Sequence, residues 1–321
     1  MIKQSLALVF FIILFYYAYT IFMDNKKKGY LATLLMSLIM GMQYIFIKDL
    51  VKLSNNNVFL VLSSRFFVAF IVMLIIFLIK KRPIDLSFKH KEMFKLSFYN
   101  PVVNFSFQTI GVMMCPVTTV SVLIALIPIA NVIVSYFMLH EKLTIKQASC
   151  MAICIAGTII ASVSSSVNNN YHFAIIGAAL IIMSIFSRAI YQGKFKQIGK
   201  DVDLNDVCFY QIYYGFIIFL IILLVFMFLS PTHQIISVIR NIDFIYGILY
   251  LALLATIAVF YLNNFAVKNI SVISVGLMNN VTVLVSTLAG IIFLSETFSY
   301  IQGIGLIMIL IGSLLYYHTK K

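Results

Sequence analysis

The chain has 321 residues, of which 62% are hydrophobic and 10% are charged, and its mean hydropathy is +1.05. A soluble globular protein cannot bury so much apolar surface, so the composition indicates a polytopic membrane protein. The formal net charge of +13 does not require a nucleic-acid partner, because the membrane topology accounts for most of the basic residues.

A membrane-spanning helix needs about 20 apolar residues. Continuous apolar runs favour helices over the alternating strands of a barrel, which predicts an all-α fold. The predicted spans lie near residues 5–23, 29–48, 57–79, 93–113, 118–139, 145–164, 173–190, 208–230, 243–265, 271–294 and 300–317.

The first apolar stretch, residues 1–23, lies outside the pattern that the other spans form. It is consistent with an extra N-terminal helix, or with translation that starts at Met23. A signal sequence is a third interpretation, although no small-x-small cleavage site precedes Asp24.

The remaining ten spans form two similar sets of five. Shifting the stretch 118–164 by 155 residues superimposes it on 273–319. The residues that coincide are Val120 with Val275, Leu139 with Leu294, Glu141 with Glu296, Gln147 with Gln302, and Gly157 with Gly312. Because five is odd, the second copy must cross the membrane in the opposite sense. We therefore predict a ten-helix bundle of two inverted five-helix repeats, 29–164 and 173–318, an architecture known from secondary transporters.

The basic residues predict the orientation of the spans. If Lys26, Lys27 and Lys28 lie in the cytoplasm, the outer segments between spans contain only Lys48, Lys52 and Arg240 of the chain's 23 lysines and arginines. Arg188 then falls among the inner basic residues at the end of its span. This bias predicts a multi-pass protein of the plasma membrane with a cytoplasmic C-terminus.

Arg65 is the only charge that this assignment places clearly inside the membrane, about 10 Å deep at 1.5 Å per residue. A charged arginine near a helix centre costs about 2.5–3.5 kcal/mol on insertion scales. One interpretation is a counter-charge for a substrate carboxylate or phosphate. The other is a structural arginine that binds backbone carbonyls or reaches towards the surface.

Polar side chains on several spans predict a substrate pocket, with interhelical hydrogen bonds as the competing account. The candidate substrate-binding residues, besides Arg65, are Gln43, Tyr44, Asn104, Gln108, Asn131, Gln211, Asn263, Asn279 and Asn280. The last two and Asn131 lie on stripes of small residues in the fourth span of each copy, where close helix packing is the alternative.

The junction after each fourth span is predicted to have a structural or gating role. The sequences at Thr144–Gln147 and Ser299–Gln302 fit the capping box S/T-x-x-E/Q. Glu141 and Glu296 precede these caps, where they either complete the turn or take part in proton coupling. Pro128 lies in the preceding span of the first copy.

The sequence shows no catalytic constellation. The histidines lie in loops or at span ends, and the four cysteines have no metal-like spacing. We therefore expect no metal, no cofactor and no enzymatic activity. The expected partners are a small-molecule substrate and the lipid bilayer, and a homodimer remains open.

Three short motifs resemble the drug/metabolite transporter superfamily, EamA type. They are Arg65-Phe66-Phe67-Val68-Ala69, the run Leu139–Leu143 after Pro128, and Leu294–Phe298 in the second copy. The resemblance implies two five-helix halves, a central cavity and alternating access, often for export of amino acids or related metabolites. A translocase of a lipid or lipid-linked sugar, or a membrane-embedded enzyme, would be the alternatives. The second copy departs from the pattern, because Val283 replaces the proline and no arginine matches Arg65.

Overall fold

The computed structural model describes residues 24–82, 89–141, 144–163, 171–199, 202–229, 235–294 and 299–318. Every regular element in these ranges is helical. The elements are α1 (Asn25–Leu53), α2 (Val58–Ile79), α3 (Lys89–Ser97), a π segment (Phe98–Val103), α4 (Asn104–Met114), α5 (Val117–Ile124), α6 (Ile127–Leu139), α7 (Ile145–Val163), α8 (Tyr171–Ile198), α9 (Leu204–Leu229), α10 (Ile235–Arg240), α11 (Ile242–Leu249), a second π segment (Tyr250–Ala258), α12 (Val259–Asn269), α13 (Val272–Met278), α14 (Asn280–Leu294) and α15 (Tyr300–His318).

The predicted spans between residues 29 and 317 all fall on these helices, so the all-α polytopic class is confirmed. Within the described ranges, seven helices are long and apolar enough to cross a membrane, and Ile145–Gly157 and Tyr300–Gly312 are shorter apolar helices. The predicted extra helix at residues 1–23 lies outside the described residues.

The largest boundary difference concerns α8. The prediction ended this span at residue 190, where polar residues begin, but the helix continues to Ile198. Arg188 therefore lies near the middle of the candidate span Ile175–Ile198, and its side chain is buried. The placement of Arg188 among the inner surface charges was wrong, because neighbouring helices shield the polar side chains of this helix from lipid.

The helices pair across the two predicted repeats. The main partners are α1 with α12 and α14, α2 with α9, α4 and α6 with α8, α5 with α14, α6 with α13, and α7 with α15. Each pair joins one helix from residues 25–163 to one from residues 171–318. The core is consequently built largely between the two parts of the sequence.

Corresponding spans are interrupted at corresponding places. Both third spans contain a π segment, and both fourth spans break in the middle, after Ile124 and after Met278. In the third span of the first copy, the interruption is explained by Pro101. This residue has no backbone N–H to donate and follows the non-helical Asn100 (φ −144°, ψ 111°). Such interruptions release backbone carbonyls that another side chain can bind.

Two matched glycines allow α7 and α15 to touch. A Cβ atom on Gly157 would lie 2.6 Å from the carbonyl oxygen of Gly305, and a Cβ on Gly312 would lie 2.6 Å from Cys154 Sγ. Neither distance is compatible with a side chain. Small residues of this kind bring membrane helices close enough for dispersion contacts between their backbones.

Candidate functional site

Two adjoining small cavities lie inside the bundle. Both are lined by Asn104, Gln108 and Arg188, so we treat them as one chamber. The other lining residues are Met40, Gln43, Asn100, Phe105, Ala255, Val259, Phe260 and Asn263 in the first cavity, and Tyr44, Ile124, Ile127, Ile181, Ser184 and Ile185 in the second.

The chamber has an apolar wall with a few polar groups, the usual composition of a small-molecule site. Its polar lining comes from α1, the first π segment, α4, α8 and α12. Two hydrogen bonds fix these polar groups within the chamber. Gln108 Nε2 donates to the Tyr44 hydroxyl at 3.3 Å, and Asn104 Nδ2 donates to Asn100 Oδ1 at 3.0 Å.

In each π segment, one backbone carbonyl accepts a hydrogen bond from a side chain on a neighbouring helix. Arg65 Nη2 on α2 donates to the carbonyl of Ala255 at 2.7 Å, and Gln211 Nε2 on α9 donates to the carbonyl of Asn100 at 2.9 Å. The two acceptors are 155 residues apart, the same shift that relates the two copies. Gln211 thus binds the backbone of the first π segment as Arg65 binds that of the second, although an arginine in one copy corresponds to a glutamine in the other.

Arg65 is fully buried behind the chamber wall. Its Nε donates to Thr256 Oγ1 at 2.6 Å, its Nη2 also reaches Gln43 Oε1 at 3.4 Å, and its Cζ lies 4.4 Å from the Phe105 ring centroid. Nη1 has no hydrogen-bond partner. Most of the guanidinium therefore binds protein acceptors, while one nitrogen remains available.

Arg188 is the functional candidate that sequence reasoning missed. It is 8% exposed and lines both cavities. Among the described residues, its hydrogen-bond partner is the Met36 sulfur, 3.6 Å from Nη2. The signal in the sequence was its position one turn before Tyr191 and Gln192, which the apparent end of the apolar run concealed.

A chain of buried side-chain amides runs beside the chamber. Asn131 Nδ2 donates to Gln192 Oε1 at 3.0 Å, and Gln192 Nε2 donates to Asn263 Oδ1 at 2.7 Å. Asn264 continues the chain, because its Oδ1 accepts from the Tyr191 hydroxyl at 2.6 Å and its Nδ2 donates to Gln211 Oε1 at 3.0 Å. These bonds connect α6, α8, α12 and α9 and hold the chamber's polar lining in place.

The predicted site residues therefore divide into three groups. Gln43, Tyr44, Asn104, Gln108 and Asn263 line the chamber, whereas Arg65, Asn131 and Gln211 lie behind the wall in the hydrogen-bond network. Asn279 and Asn280 are not among the lining residues.

The contacts of Asn279 and Asn280 fit helix packing. Asn279 Oδ1 accepts from Ser37 Oγ on α1 at 3.1 Å, and Asn280 Nδ2 lies 4.0 Å from Cys154 Sγ on α7. Both residues thus connect the break in the fourth span to a neighbouring helix.

Of the two junctions after the fourth spans, the first contains a reciprocal pair of capping bonds, and the second contains one bond of that pair. The Thr144 amide donates to Gln147 Oε1 at 3.1 Å and the Gln147 amide donates to Thr144 Oγ1 at 3.3 Å. In the second copy the Ser299 amide donates to Gln302 Oε1 at 3.0 Å. These bonds satisfy free N–H groups at the starts of α7 and α15, as the capping pattern predicts.

Two other residues of the predicted structural group belong to the end regions of α6. Pro128 is in the first turn of α6, where its missing N–H breaks no hydrogen bond. Glu141 follows the left-handed His140 (φ 53°), and its amide donates to the carbonyl of Ser135 at 3.2 Å. Glu296 lies outside the described residues.

Comparison with known proteins identifies the family. A model of the EamA-like transporter family matches residues 27–163 and 175–317. The uncharacterized transporter YcxC of Bacillus subtilis (strain 168) is 25% identical over 296 residues, which cover 90% of this chain and 92% of the relative. A solved crystal structure has a TM-score of 0.69 at 13% identity and covers 89% of this chain and 94% of that one, which supports the fold alone. The chain belongs to the EamA-like transporter family and is a multi-pass membrane transporter of the drug/metabolite class.

Proposed function

We propose that the protein exports small metabolites, such as amino acids, across the plasma membrane by alternating access between the halves 29–164 and 173–318. The observation that carries this proposal is the chamber, which is lined by amides, a phenol and an arginine from helices of both halves. A polar chamber between two halves is the expected location of a transported substrate.

The packing supports a rocking movement. Because the main helix pairs join one half to the other, a small rotation of the halves would open the chamber at one end and close it at the other. The basic residues near Lys26–Lys28 support a cytoplasmic location of the C-terminus.

We propose Gln43, Tyr44, Asn104, Gln108 and Asn263 as the cargo contacts, with Arg65 supporting them from behind the wall through its bonds to Gln43 and Ala255. Asn131 and Gln211 position them through the amide chain. Among the described residues that line the chamber, none is acidic. This favours exchange or downhill flow over a buried carboxylate proton relay. The bond from the Glu141 amide to the Ser135 carbonyl favours a turn-completing role for Glu141.

A comparison of metabolite pools tests the proposed function. Cells expressing wild type, Arg65→Ala or Arg240→Ala at equal membrane levels are compared with cells lacking the protein, by measuring soluble metabolites inside and outside. Arg240 is exposed at the end of α10 and serves as the matched arginine control. We expect specific metabolites to accumulate outside with wild type and the control, and markedly less with Arg65→Ala.

Other outcomes change the assignment in defined ways. Equal export by wild type and Arg65→Ala would make Arg65 purely structural and leave the exporter proposal in place. If wild type moves no soluble metabolite in either direction, the small-metabolite proposal is wrong, and transfer of fluorescent lipid between vesicle leaflets becomes the next measurement.

A further inference from the structure

We infer that Arg188 is the anion-binding residue of the chamber and that the preferred cargo carries net negative charge, as a carboxylate or phosphate, rather than being a zwitterion. The inference deepens the proposed function, because it assigns a substrate class to the same chamber.

The hydrogen-bond partners distinguish the two buried arginines. Arg65 has Thr256, Ala255 and Gln43 as acceptors and the ring of Phe105 at its face. Arg188 is more than nine-tenths buried and lines both cavities, yet its partner among the described residues is a thioether sulfur, a weak acceptor. Most N–H groups of Arg188 therefore have no acceptor among the described residues and can bind a ligand in the chamber.

A buried charge without hydrogen-bonded partners is unfavourable, and proteins usually pair it. No aspartate or glutamate is among the described residues lining either cavity. The missing counter-charge is thus best supplied by the cargo. A guanidinium has five N–H donors in a planar fork, which matches the two oxygens of a carboxylate or phosphate.

The same electrostatics disfavour a zwitterion. An ammonium group in the chamber would experience repulsion from Arg188 and from Arg65 behind the wall, with no carboxylate in the described lining to offset it. A dicarboxylate, an acidic amino acid or a phosphorylated compound places a second acceptor near Asn104, Gln108 or Asn263, whose amide donors can bind it.

Ligand-induced thermal stabilisation of the purified full-length protein tests this inference, because a ligand that binds only the folded state raises the melting temperature. The anionic probes are malate, glutamate and inorganic phosphate, and the zwitterions are alanine and phenylalanine. Wild type in phosphatidylcholine nanodiscs should be stabilised by at least one anion and little by the zwitterions. Repeating the measurement with phosphatidylglycerol separates a lipid headgroup from a soluble anion as the source.

Variants assign the effect to Arg188. Arg188→Gln should weaken the stabilising anion about 10- to 100-fold, Arg188→Lys should weaken it less, and Arg240→Gln should leave it unchanged. Because Arg188→Gln removes a poorly paired charge, its melting temperature without ligand should equal or exceed that of wild type, which separates lost binding from lost folding.

The inference is overturned if no anion stabilises wild type or if Arg188→Gln is stabilised equally by the same anion. Stabilisation by zwitterions alone, together with their export from cells, would refute the anion assignment while leaving the transporter function intact. A lack of export combined with anion stabilisation that depends on Arg188 would instead refute the export proposal alone.

Discussion

Arg65 provides the most direct test of how the chamber wall is held. The structure gives its guanidinium two short hydrogen bonds, to Thr256 Oγ1 at 2.6 Å and to the Ala255 carbonyl at 2.7 Å. The substitution Arg65→Lys keeps the charge but replaces the planar fork with one ammonium, which cannot satisfy both acceptors in the same geometry. The variant should therefore retain topology and lose part of the link between α2 and the second π segment.

The size of the loss follows from these bonds. Hydrogen bonds to charged groups contribute about 1.5–3 kcal/mol in soluble proteins, whereas interhelical bonds in membranes average about 0.6 and reach about 1.7 kcal/mol. We expect Arg65→Lys to lower the free energy of unfolding by about 1–3 kcal/mol, including a reduced cation–π contact with Phe105.

A double-mutant cycle isolates the bond to Thr256. Thr256→Val also removes a hydrogen bond to the Leu251 carbonyl, but that loss occurs in both backgrounds and cancels in the cycle. Reversible unfolding in mixed detergent micelles, followed by circular dichroism, should give a coupling energy of about 1–2 kcal/mol between Arg65→Lys and Thr256→Val.

Thr33→Val is the control for this cycle, because Thr33 is buried but hydrogen-bonds within its own helix, to Gly29. Its effect and that of Arg65→Lys should add to within about 0.5 kcal/mol. If Arg65→Lys and Thr256→Val were also additive to that degree, the proposed link between α2 and the second π segment would be wrong.

Three further changes have defined outcomes. Gly157→Ala places a Cβ 2.6 Å from a carbonyl oxygen of α15, so the melting temperature should fall with a loss of about 1–3 kcal/mol. Gln192→Leu removes the hydrogen bonds that join Gln192 to Asn131 and Asn263 and leaves Asn263 Oδ1 without its donor. It should cost about 1–2 kcal/mol in the same unfolding assay while reducing transport. At the surface, burial opposes ionisation of Asp203, but hydrogen bonds from Asn205 and from Arg82, with the charge of Arg82, lower its pKa. The stabilisation from this lowered pKa is present above about pH 4 and disappears as the pH falls. Arg82→Gln should therefore lower the free energy of unfolding by at most about 1 kcal/mol at neutral pH. The difference from wild type should shrink when unfolding is measured at progressively lower pH.

Much of the fold followed from local sequence patterns. Apolar runs of span length predicted the helix positions, whereas the matching interruptions of the third and fourth spans became visible only in the structure. The caps at Gln147 and Gln302 were predictable because a capping box depends on residues only three apart.

The site was less predictable because its contacts join residues far apart in sequence. Gln43, Asn104 and Gln108 could be recognised as polar groups inside apolar spans, but nothing local distinguished them from Asn279 and Asn280, which face other helices. Arg188 was missed since hydropathy alone cannot tell a buried polar helix end from a surface segment. The matching roles of Arg65 and Gln211 became visible only through the two carbonyls that they bind.

The central claim is that cargo passes through the chamber lined by Asn104 and Gln108. Uptake of radiolabelled malate or alanine into proteoliposomes that contain only the purified protein tests it most directly, with the double variant Asn104→Leu/Gln108→Leu compared with wild type. Leucine is similar in volume and removes the polar lining, so the variant should remain folded and lose most uptake of whichever probe wild type transports. Uptake by this variant at the wild-type rate would show that cargo follows another route and would contradict the account.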